Sequence, residues 1–421
     1  MNLGSGGKTS AAARLHADVA VIGGGVIGHG IAWEARRSGR TVVLIDKAPG
    51  TGASWAAAGM LAPVSELHYQ EEELLELMLE SSARWPAFAA ALADGGTGCD
   101  AGYLATSTIA VGADPADRRA LMDLREVQRA AGLAVEPLTI REARLREPLL
   151  SPGISCALDI PADHQVDPRK LVAGIAAALA CHEPGSRTAV AGAEDGYAVR
   201  DNAAGLLWDG GGGGGRVSGV RLAGGGAVLA AETVVANGLG AASLDGLPEG
   251  LRLPLRPVYG DILRLKVPER LRPLLTATVR GMVRGIPVYL VPRQDGTVVI
   301  GATQREDGQA SPSAGGVYQL LRDAQALVPA VAELELIEAT ARARPGTPDN
   351  APLLGRVAAG LIIATGFFRH GVLLTPAAAV ICRELMDGLT DSRWDAFRPG
   401  RFSAERTASN TVTFDQDKES A

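Results

Sequence analysis

The stretch DVAVIGGGVIGHGIAWEARRSGRTVVLID, residues Asp18–Asp46, decides the fold. The run at Asp18–Ile22 is short, apolar and rich in β-branched residues, which predicts a buried parallel strand. A helical pattern follows over Ile31–Gly39, and a second apolar run covers Thr41–Asp46. Strand, glycine-rich turn, helix and strand together predict a βαβ unit and the α/β fold class.

The turn GGGVIG places glycines at Gly23, Gly25 and Gly28, the three positions of the GxGxxG pattern. The first permits a tight turn off the strand, the second lets a pyrophosphate approach the backbone, and the third lets the helix lie close to the strand. The start of the helix then offers N–H groups and a favourable dipole to the phosphates. Asp46 ends the second strand, where the ribose hydroxyls of an adenosine would lie. These features predict a dinucleotide site.

The segment GASWAAAGMLAP, Gly52–Pro63, favours a flavin over a nicotinamide nucleotide. Its small side chains let the backbone run close against a large flat ligand. A flavin ring system that must be enclosed requires such a loop, whereas a nicotinamide nucleotide has no obvious need for it. On composition alone, a small-residue helix that packs closely is the alternative interpretation.

Length and charge limit the other possibilities. A chain of 421 residues is long for one hydrophobic core, so we expect two domains. The formal net charge of -6 argues against a nucleic-acid partner, because no basic excess is available to neutralise phosphates. No uninterrupted apolar run reaches the roughly 18 residues of a membrane span, and residues 1–16 do not have the apolar core of a signal peptide.

Cysteine and histidine usage favours a reduced compartment and no metal. No two of the cysteines have the spacing of a redox or zinc pair, and the histidines form no ligand cluster. We therefore expect a cytoplasmic protein. We also expect a homo-oligomer whose partners are a small substrate and O2, with no nucleic acid and no membrane. The isolated cysteines are Cys99, Cys156, Cys181 and Cys382.

Periodic patterns suggest a parallel FAD sheet that is interrupted along the chain by a largely antiparallel substrate sheet. We predict disordered or mobile tails at 1–16 and 403–421, and a loose hairpin tip at Gly210–Gly215. The FAD-binding domain is assigned to 17–66, 167–250 and 344–400, and the substrate domain to 67–166 and 251–343. Predicted helices are 70–92, 115–131, 168–180 and near Gly371 to near Gly388, and predicted strands are Leu104–Val111, Thr188–Val190, Tyr197–Val199, Arg216–Leu222, Glu232–Gly238, several within 255–304, and Leu361–Gly366.

An ordered set of motifs resembles the glycine oxidases of thiamine biosynthesis, within the D-amino-acid oxidase superfamily. The resemblance extends over about residues 17–400. Its pieces are ADVAVIGGGVIGHGIAWE (Ala17–Glu34), Asp46, GASWAAAGMLAP (Gly52–Pro63), HQVDPRKL (His164–Leu171), VYLVPR (Val288–Arg293), VIGAT (Val299–Thr303), ARPGTPDNAPLLGR (Ala343–Arg356) and LIIATGFFRHGVLLTPA (Leu361–Ala377).

The resemblance implies a Rossmann-type FAD-binding βαβ domain with an interleaved substrate domain on a mixed, largely antiparallel sheet. It implies FAD that is bound without a covalent link and without a metal. It further implies oxidation of glycine, sarcosine or small D-amino acids to an imine, with O2 reduced to hydrogen peroxide. The imine would supply the assembly of the thiamine thiazole ring.

The resemblance also implies site residues. The substrate-carboxylate arginine falls on Arg344, the active-site tyrosine on Tyr289, and a second arginine near substrate and flavin on Arg369. This sequence departs from the family pattern at Phe367, His370 and Pro287, which leaves the fine substrate preference open. The implied cofactor residues are Gly23, Gly25, Val26, Ile27, Gly28, Asp46, Lys47, Ser54, Ala58, Gly59, Met60, Val190, Phe367, Phe368, Arg369, His370, Gly371, Val372 and Leu373.

The side chains suit this chemistry, since a buried carboxylate requires a cation and the arginine fork offers two parallel N–H donors. Tyr289 could orient the carboxylate, and His370 is an alternative candidate base. Alternatives of the same fold remain open: a D-amino-acid dehydrogenase that passes electrons to a quinone or carrier, and a sarcosine oxidase. A non-catalytic flavin-binding partner is the alternative from another class, although a scaffold has no need of a carboxylate clamp.

Overall fold

The structure, a computed structural model, describes residues 14–67, 71–94, 100–181, 188–210 and 215–403. The expectations for 1–13, for the glycine hairpin tip at 211–214 and for the tail beyond Ser403 lie outside these residues. The predicted N-terminal tail, residues 1–16, extends too far. Residues Arg14–His16 already belong to the first strand and pair with the strand that starts at Ala227.

Helices and strands alternate over residues 14–180, and strands predominate over residues 198–365. The helices are α1 (Val26–Arg37), α2 (Ala53–Ala56), α3 (Glu72–Asp94), α4 (Pro115–Ala130), α5 (Ile140–Arg146), α6 (Pro168–Ala180), α7 (Ala314–Leu327) and α8 (Thr375–Met386). The strands are β1 (Arg14–Ile22), β2 (Val42–Ile45), β3 (Met60–Leu61), β4 (Thr108–Gly112), β5 (Glu136–Leu138), β6 (Cys156–Ile160), β7 (His164–Gln165), β8 (Ala198–Val199), β9 (Ala203–Asp209), β10 (Arg216–Leu222), β11 (Ala227–Val235), β12 (Arg256–Lys266), β13 (Thr278–Val283), β14 (Ile286–Pro292), β15 (Thr297–Gly301), β16 (Glu335–Gly346), β17 (Leu353–Ala358) and β18 (Leu361–Thr365).

The first large sheet is built around the predicted βαβ unit, which β1, α1 and β2 confirm. Its strand order is β17-β18-β11-β1-β2-β8, and the hairpin β9–β10 extends from β11. β1 pairs in parallel with both β2 and β11, and β11 pairs in parallel with β18. Every residue of β2 is buried, as expected for a central parallel strand that is covered on both faces.

The second large sheet has the order β16-β12-β15-β14-β13-β4-β6-β5. Neighbouring strands are antiparallel except for the parallel pair β4–β13, so the sheet is mixed and largely antiparallel, as the resemblance implies. One face packs against α5 and α7 through side chains such as Val279, Leu290 and Ile300. Because side chains alternate along a strand, the residues between these point to the opposite face.

The two sheets alternate along the chain. The first takes its strands from 14–45, 198–235 and 353–365, and the second from 108–160 and 256–346. The predicted domain boundaries remain predictions. The structure bears on one of them, since β16 continues through Arg344 to Gly346 and therefore crosses the boundary placed before residue 344.

Three predicted strands differ from the structure. The strand predicted over Glu232–Gly238 instead covers Ala227–Val235. Residues Thr188–Val190 form a turn rather than a strand, since Val190 donates its N–H to Gly196 and the chain then reverses toward β8. The strand predicted from Leu104 begins only at Thr108, and Leu104 makes an isolated bridge. Within the described residues, no helix is long and apolar enough to cross a membrane.

Candidate active site

A cavity of about 1360 Å³ is lined by residues of both large sheets. Its volume exceeds the roughly 300–1,000 Å³ of most small-molecule sites, so a ligand of dinucleotide size can enter together with a substrate. The site residues predicted from the sequence that line it are Gly23, Gly25, Val26, Ile27, Asp46, Ser54, Ala58, Gly59, Met60, Tyr289, Arg344, Phe367, Phe368, Arg369, His370, Gly371, Val372 and Leu373.

The glycines at the start of α1 form one end of the cavity. Gly23 has φ +108°, and a Cβ there would lie 2.5 Å from the Cα of Asn237, so the turn requires glycine. A Cβ at Gly28 would collide with the carbonyl oxygen of Gly23, which is the close approach of helix to strand that the sequence predicted. A Cβ at Gly25 would meet only the Ser54 hydroxyl, at 3.4 Å, which leaves room for a ligand.

Asp46 lies beside this turn, and backbone donors fix its carboxylate. Its Oδ2 accepts a hydrogen bond from Gly24 N at 2.6 Å, and its Oδ1 accepts one from Ala48 N at 2.8 Å. Each oxygen retains a second lone pair. The carboxylate is therefore oriented before any ribose hydroxyl reaches it.

The alanine-rich segment folds across the start of α1. It contains the short helix α2 and strand β3 rather than one continuous loop. The Ser54 hydroxyl accepts a hydrogen bond from Val26 N at 2.9 Å. Gly59 has φ +75°, and a Cβ there would collide with the Val166 carbonyl, so a small residue is needed for backbone packing. The guanidinium of Arg293 donates to the Ala58 carbonyl and anchors the segment from the second sheet.

The segment after β18 forms the opposite wall. Phe368, at φ +46°, donates its N–H to the Pro345 carbonyl at 3.1 Å, which ties this segment to the end of β16. The Leu373 carbonyl accepts hydrogen bonds from the Ser81 hydroxyl at 2.7 Å and the Trp85 indole at 2.9 Å. Side chains of α3 thus hold the backbone that the sequence assigned to the flavin ring.

Three of the predicted cofactor residues do not line the cavity. Gly28 lies under the turn, where its role is packing, and Lys47 is exposed. Val190 is buried in an apolar cluster, its N–H bonds to Gly196, and its carbonyl accepts from Ala193 N. Both backbone groups of Val190 therefore already hold hydrogen bonds within the chain, and the adenine contact expected there stays a prediction. The sequence around it contains no motif that could have fixed its position.

Arg344 and Tyr289 stand together on the cavity face of the second sheet. The Arg344 guanidinium lies over Gly260, where a Cβ would come within 2.5 Å of its Cζ. A Cβ at Gly301 would likewise lie 2.6 Å from Tyr289 Cζ, so two glycines make room for the two side chains. Burial raises the pKa of Tyr289 to about 12, although the charges of Arg344 and Arg280 act against it. Its hydroxyl therefore stays protonated and can donate a hydrogen bond.

The two predicted arginines differ in their partners. Arg369 pairs with Glu66 at 3.0 Å and also with Glu71. Among the described residues, no carboxylate is found within ion-pair distance of Arg344, whose Nη1 contacts the Thr303 carbonyl at 3.5 Å and whose side chain also interacts with Tyr289. Of these two arginines, Arg344 is therefore the one whose positive charge is not paired with a carboxylate of the described residues.

Sequence reasoning missed a buried ion pair in this half of the cavity. Arg280, on β13 directly opposite Tyr289, pairs with Glu66. Burial alone would raise the pKa of Glu66, but the charges of Arg280, His370 and Arg369 lower it to about 2. Glu66 therefore stays ionised and bridges two arginines. Neither Glu66 nor Arg280 belongs to a motif that marks a site, so only the strand register shows their partnership.

These features together define a class of protein. A dinucleotide cradle with a phosphate-facing helix start, joined in one cavity to an arginine and tyrosine able to bind a carboxylate, is the site of a flavin-dependent oxidoreductase. Residues 18–385 match the family described as DAO, FAD dependent oxidoreductase. The chain belongs to this family, and FAD is its cofactor.

Similar proteins support this assignment over most of the chain. A glycine oxidase of Geobacillus kaustophilus is 33% identical over 380 residues, which cover 88% of this chain and 93% of that protein. The bifunctional protein ThiO/ThiG of Trichormus variabilis is 30% identical over 400 residues, covering 94% of this chain and 56% of that protein. The crystal structure of the Geobacillus kaustophilus glycine oxidase superposes with a TM-score of 0.79 at 31% identity and covers 93% of this chain and 100% of that chain.

Proposed function

We propose that this chain oxidises glycine at its amine, with FAD as cofactor and O2 as the final electron acceptor. Glycine and O2 give the imine and hydrogen peroxide, and water then converts the released imine to glyoxylate and ammonia. The observation that carries the proposal is the Arg344 guanidinium beside Tyr289, with no carboxylate partner among the described residues. The names of the similar glycine oxidases support the same substrate.

The proposed mechanism rests mainly on positioning. Bound FAD supplies the two-electron acceptor. Arg344 donates two parallel N–H groups to the substrate carboxylate, and the Tyr289 hydroxyl donates a further hydrogen bond. The Glu66 bridge fixes Arg280 and Arg369 around this point, so these arginines shape the site without competing for the carboxylate. Holding the amino acid in one orientation contributes to the rate by removing its freedom to rotate away.

The fate of the product is part of the proposal. Three similar proteins are bifunctional ThiO/ThiG chains, and this chain spans only about half of each of them. We propose that the imine supplies thiamine thiazole synthesis, as the resemblance implies. Sarcosine and small D-amino acids are proposed as further substrates. The cytoplasmic location and the homo-oligomer remain predictions. Sedimentation of the purified protein would measure its oligomeric state.

One experiment separates this function from its alternatives. Glycine is added anaerobically to the purified yellow holoprotein, and the flavin absorbance is followed before and after O2 is admitted. Bleaching by glycine and rapid recovery with peroxide formation are expected. Recovery only with an artificial acceptor would indicate a dehydrogenase, and faster bleaching by sarcosine a sarcosine oxidase. Absence of bleaching by any amino acid would indicate a non-catalytic flavin-binding partner.

A further inference from the structure

Residues 50–57 cover the end of the cavity where α1 begins. The Ser54 hydroxyl accepts a hydrogen bond from Val26 N at 2.9 Å, which ties this segment to the turn that would receive the phosphates of FAD. FAD that leaves the cavity on this side must therefore displace the segment. The residues of the segment that line the cavity are Gly50, Gly52, Ala53, Ser54, Ala56 and Ala57.

The segment has little regular structure of its own to hold it in place. Its helix, α2, spans only four residues, and an isolated helical turn is unstable because ordering it costs more entropy than its first hydrogen bonds return. The N-cap residue, Gly52, provides no side-chain cap, and Gly50 has φ +77°. Contacts from other elements must therefore fix the position of α2.

Glu338 on β16 binds the outer side of this segment. Its Oε1 accepts a hydrogen bond from the Trp55 indole at 3.2 Å. Arg169, at the start of α6, donates to both carboxylate oxygens, at 2.9 and 2.7 Å, and its Nε donates to the Trp55 carbonyl at 3.0 Å. The Arg169 Cζ also lies 3.6 Å from the centroid of the Trp55 ring, a cation–π contact. One carboxylate thus joins β16, α2 and α6.

A second arginine increases the importance of the Glu338 charge. Arg264 on β12 is buried directly opposite Glu338, and its Nε lies 3.9 Å from Glu338 Oε2. Burial and the positive charge of Arg169 both lower the pKa of Arg264, so the two arginines repel each other. Without the charge of Glu338, this repulsion would push the more exposed Arg169 outward, and Trp55 would lose the contacts that hold it.

We propose that Trp55, Arg169 and Glu338 form a latch, the Glu338 latch, that holds residues 50–57 over bound FAD and sets the rate at which the cofactor leaves. Glu338 is a positioning residue, because it acts on FAD through the other two. The proposal concerns the cofactor alone and does not depend on which amino acid is oxidised. The Arg169–Glu338 pair is bidentate, and its side chains are only 22% and 27% exposed, so it should be stronger than most surface ion pairs.

The rate of FAD release tests the latch. The holoprotein is diluted into FAD-free buffer at low ionic strength, and the rise in free-flavin fluorescence gives koff. Glu338→Gln keeps the size of the side chain but removes its charge, and it should raise koff by about tenfold. Glu338→Asp keeps the charge on a shorter side chain and should recover part of the loss. Glu335→Gln is the matched control, because it removes a carboxylate from an exposed 4.0 Å pair on the same strand, and it should leave koff unchanged.

Two further measurements distinguish a latch from a general loss of stability. Arg169→Gln combined with Glu338→Gln should raise koff by no more than about twofold beyond either single variant, because both changes break the same pair. Added salt should accelerate FAD release more from the original protein than from Glu338→Gln, because only the former has this ion pair to screen.

Several outcomes would overturn the latch. One is a koff of Glu338→Gln that stays within about twofold of the original value. Another is an equal acceleration in Glu335→Gln, which would show a general effect of charge on the strand. A double variant whose effect equals the product of the single effects would show that Arg169 and Glu338 act independently. Equal salt effects in the original protein and Glu338→Gln would exclude the ion pair from control of FAD release.

Discussion

The two halves of the cavity are built by different parts of the chain. Backbone from two short segments, 23–63 and 366–373, forms the cofactor half, and its glycines allow close approach. Charged side chains from separate elements form the substrate half, where Glu66, Arg280, Arg344 and Arg369 meet through the strand register and loop packing. A backbone cradle distributes ligand binding over many weak contacts, whereas the substrate half depends on a few buried charges. Replacing one of these charged residues should therefore have a larger effect than replacing a single residue of the cofactor half.

The largest effect is expected at Arg344. Arg344→Ala leaves the substrate carboxylate buried without a counter-charge, which typically costs about 3–5 kcal/mol. kcat/KM for glycine should therefore fall by about 10²-fold or more. Arg344→Lys should recover only part of it, because a point charge cannot make the bidentate fork. Steady-state oxygen uptake measures the loss.

The control for this variant is its cofactor content. FAD released on heating should match that of the original protein, because Arg344 is assigned to the substrate half. If Arg344→Ala kept its glycine rate while Arg369→Ala lost it, the carboxylate would bind Arg369. In that case the ion pairs of Arg369 with Glu66 and Glu71 would not prevent Arg369 from binding the substrate carboxylate.

The second effect tests the ion-pair bridge. The pKa of Glu66 is lowered from 4.5 to about 2 in the folded protein, against the raising effect of burial, by Arg280, His370 and Arg369. A carboxyl whose folded pKa lies below its unfolded value stabilises the fold above the unfolded value and loses this as pH falls through the folded value. Glu66→Gln should therefore lower the free energy of unfolding by about 3 kcal/mol at pH 7.

Denaturant unfolding at several pH values measures this difference. The gap between the original protein and Glu66→Gln should be constant above about pH 5.5 and should shrink to roughly half by pH 3. Glu73→Gln, at an exposed position on α3, should change stability by less than about 0.5 kcal/mol. A gap that grows as pH falls would contradict the assigned direction of the pKa shift.

The sequence predicted the parts of the site whose contacts lie within one continuous segment. It did not predict the parts that depend on contacts between distant segments. The spacing of Gly23, Gly25 and Gly28 and the acid at Asp46 predicted a βαβ unit that the structure confirms, because these contacts lie within one continuous segment. The Glu66–Arg280 pair joins residues 214 positions apart. Only the register of β13 and β14 brings Arg280 beside Tyr289, and the sequence pattern of the two strands does not fix that register. The adenine contact at Val190 stays a prediction, because the neighbouring sequence contains no motif that fixes its position.

Asp46 tests the cofactor half. Asp46→Ala removes a carboxylate that lines the cavity and that two backbone N–H groups hold in place. FAD affinity should weaken by about 1–3 kcal/mol, the range of a hydrogen bond to a charged group. Equilibrium dialysis of the FAD-depleted protein measures it. An unchanged FAD affinity would show that Asp46 does not contact the cofactor. A loss of FAD-binding free energy as large as the roughly 3–5 kcal/mol expected at Arg344 would contradict the proposed difference between the two halves.

The smallest effect is expected at Gly260, which makes room for Arg344. A methyl group there would come within 2.5 Å of Arg344 Cζ, but that atom belongs to the mobile end of a long side chain, so the guanidinium can move aside. Overpacking of this kind costs about 1–3 kcal/mol, and the flexible neighbour places Gly260→Ala at the low end. We expect kcat/KM for glycine to fall by about tenfold, with FAD content unchanged. Gly315→Ala is the matched control, because a Cβ there meets nothing within 4 Å. If Gly260→Ala released FAD but kept its glycine activity after reconstitution, Gly260 would belong to the cofactor half, and the position of Arg344 would not depend on it.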